Sequence, residues 1–117
     1  MRHDHRMDVR AYLARERALG AGAWELAAAA PECAMVVFGR DVRSEDDLEA
    51  CRVFVERERE RAGTIRARME EWDRTPADEV AGPDAAERVR TLYELHLPLK
   101  RWVWREGLLD AAGHSAG

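Results

Sequence analysis

The chain has 117 residues, 46% of them hydrophobic and 36% charged, and a formal net charge of −4. That length holds one domain with a modest core, and the acidic balance argues against a protein that grips phosphate backbones. Cys33 and Cys51 are too few and too far apart for a metal knuckle or disulfide framework, no apolar run could span a bilayer, and the polar start MRHDHRMD lacks a signal-peptide core.

Asp8 can cap a first helix from about Val9 to Leu19, with Tyr12, Leu13 and Leu19 among its apolar positions, and Gly20 and Gly22 are expected to end it. Ala23 to Ala30 is a second helix-forming run, stopped by Pro31. Trp24, Ala27 and Ala28 share one face of it, and Leu26 lies roughly opposite. The run from Cys33 to Phe38 is apolar throughout and closed by Gly39. With no second strand-like run to pair with it, a helix or an irregular buried segment is expected there.

At Ser44 the order Ser-Glu-Asp-Asp-Leu is a helix start. The Ser44 hydroxyl can accept from the amide three residues on, Asp47 can reach back as a short capping box, and the acidic first turn suits the helix dipole. Leu48, Cys51, Val55, Ala62, Ile65, Met69 and Trp72 then follow at alternating steps of three and four, with Glu58 the only break. This is coiled-coil spacing, and the reading is one long central helix from about Ser44 to Arg74. In its middle, Glu56 to Arg61 alternate in sign, so opposite charges meet at i,i+3 and like charges at i,i+4. Those two effects, each a few tenths of a kcal/mol, roughly offset one another. Gly63 marks a close helix crossing, a kink or a break.

Thr75 to Pro83 reads as a loop. Asp84-Ala-Ala-Glu87 is another cap signature, opening a helix with Val89, Leu92, Tyr93 and His96 along one side. Pro98 should kink that helix or begin a new one. Leu99, Trp102, Val103, Leu108 and Leu109 form the apolar face of the last piece, and residues 113–117 read as a tail. The fold class is therefore all-α: a single domain, a bundle of four to six helices around one long central helix, with mobile termini at about 1–7 and 113–117.

No reactive constellation is complete. His3-Asp4-His5 lies at a chain end without a third and fourth metal ligand, and His114 lies at the other end. Glu45, Asp46, Asp47 and Glu49 suit a helix N-terminus, with no Glu-x-x-His to complete a di-metal set. Lys100-Arg101-Trp102-Val103-Trp104-Arg105 interleaves bases and aromatics, but Trp102 and Trp104 lie about 200° apart on a helix and cannot form one stacking platform. One Trp should face the core, leaving Trp104 as a contact residue beside Lys100, Arg101 and Arg105.

Arg90, five intervening residues and His96 resemble the nuclease motif of the HEPN family of all-α proteins. The resemblance covers seven residues, and Thr91 stands where that family commonly carries an amide or acidic residue. It implies RNA phosphodiester cleavage, with His96 moving a proton and Arg90 holding the charge that develops on phosphate.

The leading functional expectation is a non-catalytic helical protein–protein interaction module, a small cytoplasmic accessory or regulatory protein without a cofactor. It pairs with itself as a homodimer along Leu48, Val55, Ile65, Met69 and Trp72, and with another protein, Trp104 adding to the contact surface. Nucleic acid and membrane are not expected partners. The alternatives are a HEPN-like ribonuclease using Arg90 and His96, and a regulatory domain that holds a small molecule in a Trp-lined pocket between helices.

Overall fold

In the computed structural model, which describes residues 9–74 and 83–116 but not the side chains of 72–74, 83–86, 88, 89, 92 and 114–116, Gly20 and Gly22 lie inside a helix rather than ending one. That helix, α1, runs unbroken over Val9–Ala29, so the two short helices expected there are one. A glycine inside a helix costs about 1 kcal/mol relative to alanine, and at Gly20 a close crossing explains it. A Cβ on Gly20 would sit 2.8 Å from the carbonyl carbon of Trp104, nearer still to its oxygen, and one on Gly107 would meet Arg17 in the same way. The two backbones touch. Gly22 faces open space and has no such role.

Ala30 leaves helical geometry at φ −144° and ψ 72°, as a residue before proline is pushed to do. Pro31 then opens α2 (Pro31–Phe38), which ends on Gly39 at φ +70°, its amide donating to the Met35 carbonyl at 2.9 Å. A helix is thus what forms over Cys33 to Phe38, but it is not buried: only Ala34 is closed off, with Phe38 half-buried. After a turn pinned by buried Val42, α3 (Glu45–Arg74) starts where its cap was read. The Ser44 hydroxyl accepts from the Asp47 amide at 3.2 Å and donates to the Asp41 carbonyl at 2.9 Å. Asp47 does not reach back to complete a box. Its carboxylate lies 2.7 Å from Arg40 Nε.

Gly63 neither breaks α3 nor marks a crossing, because nothing approaches it. The i,i+3 pairs Glu49–Arg52 and Glu56–Arg59 form along its outer face, and Glu58–Arg61 forms beside the groove with α4. Finally α4 (Pro83–Ala116) carries Pro98 in its interior and continues through Gly113, so no new helix starts at Pro98 and the expected tail is helical as far as Ala116. The expected termini at 1–7, the Asp8 cap and most of the 75–83 loop lie outside the described residues.

Four helices and no strand are present among the described residues, an all-α bundle. Val9 and Leu13 cluster with Leu99, Trp102 and Val103, whereas Ala23, Trp24 and Ala27 cluster with Leu108, so α1 and α4 run parallel. Leu48 and Cys51 at the start of α3 join the second cluster, Ile65 and Met69 near its end the first. α3 is therefore antiparallel to both, giving an up-down-up bundle with α2 as a short side element packed on α1. Met69, Leu99 and Leu108 are wholly buried, each contributing about 1.5–3 kcal/mol by leaving water. No helix among the described residues is long and apolar enough to cross a membrane.

Candidate functional site

Leu48, Val55, Ile65 and Met69 were expected at a seam with a second copy. All four are buried within the single chain, against α1 and α4. The coiled-coil spacing of α3 is satisfied internally, so those residues are not available to a partner. The side chain of Trp72 lies outside the described residues. Glu58, the break in the row, sits at the edge of the α3–α4 groove beside Arg57 at 3.4 Å and Arg61 at 4.0 Å, so its charge is balanced where the apolar row thins.

Arg90 and His96 share α4, and six residues of continuous helix set them roughly 120° and 9 Å apart. Arg90 is exposed. The His96 ring sits 5.9 Å from Tyr12 and 4.9 Å from Tyr93, with Nδ1 against the Tyr93 carbonyl. No hydrogen bond or ring contact of His96 among the described residues involves Arg90. Residues 3–5 and the His114 side chain lie outside the description, and no group of three metal-ligating side chains occurs among the described residues.

Of Trp102 and Trp104, Trp102 is the one in the core, its indole N–H donating to the Val55 carbonyl at 2.9 Å. Trp104, on the other face, is half-buried: Phe38 packs edge-on at 5.8 Å and the Arg40 guanidinium lies 5.6 Å from its ring. The end of α2 and the following turn thus cover part of the surface that was expected to be open.

Two features stand out on this side of the molecule. The first is the outer face of α2, where Met35, Val36 and Val37 are 48%, 86% and 61% exposed and Cys33 is exposed beside them. Ala34 and Phe38, one turn apart, hold α2 to the bundle, and the remaining apolar residues point to water. Leu19 and Val53 are also exposed, on other helices.

The second is a cavity of about 380 Å³ between α1, the turn after α2, and α4. Phe38, Leu97 and Trp104 form its apolar wall, and Arg40, Lys100, Arg101 and Arg105 border it. Glu16 joins from the otherwise apolar face of α1; its side chain is 10% exposed, Oε1 lies 4.0 Å from the Lys100 ammonium, and Oε2 accepts no hydrogen bond. Burial holds the Arg105 guanidinium below its usual range, Arg40 and Arg101 adding to the effect against the opposing influence of Cys51 and Asp47. Arg105 also lies 4.4 Å above the Phe54 ring and donates to the Arg101 carbonyl.

Glu16, Phe38 and Arg40 were not singled out from the sequence. Glu16 carried a usable signal: it falls on the i, i+4 face of Val9, Leu13, Gly20 and Ala23, where a charge is out of place. No known protein family, curated protein or solved structure matches this chain.

Proposed function

We propose that this chain is a non-catalytic helical interaction module, a small accessory protein that binds another protein through α2. The observation that carries the reading is the outward face of Met35, Val36 and Val37 on a helix anchored only by its opposite side. Contiguous exposed apolar surface of this kind marks protein contact sites on soluble domains. The bundle behind it holds its own core closed, so α2 is presented on a rigid frame. Self-association belongs to the same reading, now with α2 rather than α3 as the element that would pair. In a reducing cytoplasm Cys33, exposed beside this surface, stays a thiol.

The test is a Val36→Asp, Val37→Asp double variant compared with wild type and with Leu19→Asp, an exposed apolar control elsewhere. Sedimentation of each at micromolar concentration reads self-association, and affinity capture from native extract reads other partners. Loss of the dimer, or of a captured protein, in the α2 variant alone is the expected result. A wild-type monomer whose captured proteins are unchanged by the α2 variant overturns the reading.

A further inference from the structure

We propose that the cavity bounded by Glu16, Trp104 and the arginines of α4 binds a small aromatic acid: one or two fused rings with a carboxylate at one end and a hydroxyl or ring N–H at the other. This goes beyond the α2 reading and uses none of the outer α2 face.

The charge distribution supplies the first argument. The whole chain is net negative, yet four cations and a single carboxylate border this one cavity. Arg40 has Asp47, and Lys100 faces Glu16. Arg101 and Arg105 have no carboxylate within ion-pair distance among the described residues. They stand at i and i+4 on α4, a spacing at which like charges repel. Two arginines one helical turn apart at a cavity edge, neither in an ion pair among the described residues, suit an oxyanion, which guanidinium groups bind through parallel N–H donors.

The wall supplies the second argument. Phe38, Leu97 and Trp104 offer an apolar surface with two aromatic rings, against which a planar ring packs well. The volume lies near the small end of the range for ligand pockets, which selects one or two rings over a larger cofactor.

Glu16 supplies the third. A buried carboxylate whose Oε2 accepts nothing, with its nearest cation beyond hydrogen-bond distance, is a costly arrangement. A ligand hydroxyl or ring N–H would provide the missing donor. The half-exposed Lys100 side chain is the one beside it that can swing aside to admit that donor.

The full chain would be titrated calorimetrically with 4-hydroxyphenylacetate and indole-3-acetate. Phenylacetate, which lacks the donor, and tyramine, which replaces the anion by a cation, serve as comparisons. Saturable sub-millimolar binding of at least one of the first two is expected, with tyramine at least about tenfold weaker. Arg101→Ala, at an exposed position outside the core, should weaken binding by about tenfold or more. Glu16→Leu should abolish the preference for 4-hydroxyphenylacetate over phenylacetate. No saturable binding of either acid up to roughly 1 mM, tyramine binding as well as the acids, or an Arg101→Ala chain that binds like wild type would each overturn the proposal.

Discussion

Adding one methyl group at Gly20 should cost this protein stability on the scale of a mild core deletion, while the same change two residues later should raise it. Gly20→Ala places a Cβ against the Trp104 carbonyl and 3.1 Å from the Leu108 amide nitrogen, both backbone atoms of α4. No side chain can rotate away to make room, so α1 and α4 must part by on the order of 1 Å, a gap that forfeits up to half of each affected dispersion contact. Overpacking of this kind costs about 1–3 kcal/mol, and a rigid backbone obstacle puts Gly20 at the upper end. Against that, alanine gains about 1 kcal/mol of helix propensity, leaving a net loss of roughly 2 kcal/mol and, for a domain of this size, a fall in Tm of about 8 °C. Gly22→Ala and Gly63→Ala add their Cβ to open space and should each gain about 1 kcal/mol, or roughly 4 °C. Urea and thermal unfolding followed by circular dichroism would measure all three, with an unchanged m-value confirming a common unfolded state. If Gly20→Ala proves as stable as Gly22→Ala, the backbone-to-backbone crossing of α1 and α4 is wrong.

Ser44→Ala removes the acceptor for the Asp47 amide and should cost about 1 kcal/mol, read as a lower urea midpoint. Trp102→Phe deletes the indole N–H that reaches Val55 and opens space in the core; a loss of about 1–3 kcal/mol is expected, and an unchanged midpoint would mean the indole is not held there. Cys33 is exposed and Cys51 buried, so a thiol reagent should modify one cysteine at once and the second only at the rate of unfolding. Burial, reinforced by Asp47, pushes the Cys51 thiol up. The native state then keeps a proton that the unfolded chain loses, so this contribution is whole at neutral pH and is lost as pH rises past the ordinary thiol value, about 8.5. Cys51→Ala should accordingly flatten the alkaline fall in urea midpoint, and Cys33→Ala should leave it in place.

Periodicity located the long helix because its signal is redundant: seven positions of one row repeat the same message over 25 residues. It could not say what the row faces. An apolar row at coiled-coil spacing is equally served by another chain or by two helices of its own, and here α1 and α4, running parallel, supply the opposing surface. The glycines misled for a related reason. Gly20 carries the sequence signature of a helix end, and only the position of α4 reveals that its missing Cβ is spent on a crossing. Pro98 has the same ambiguity: local chemistry predicts a break, whereas α4 continues, with Leu99 and Trp102 packed on the core immediately beyond.

The surface and the cavity were harder to read, and the difficulty is physical. Hydrophobic patterning records which residues leave water, not which chain removes them. In α2 every position from Cys33 to Phe38 is apolar, so no face is marked and the pattern permits burial on any side. The anchoring pair Ala34 and Phe38 becomes visible only once α1 and Trp104 are in place. Trp104, expected to be open to a partner, is half-buried against the second core cluster, and its cover comes from Phe38 and Arg40, more than 60 residues earlier in the chain. The same return of the chain puts Arg40 beside Arg101 and Arg105 and leaves Glu16 among cations. What looks along the sequence like a basic, aromatic stretch of a terminal helix is, in the fold, one wall of an electropositive cavity with a buried carboxylate opposite. The chemistry of that cavity belongs to three elements at once, which is why no single segment announced it.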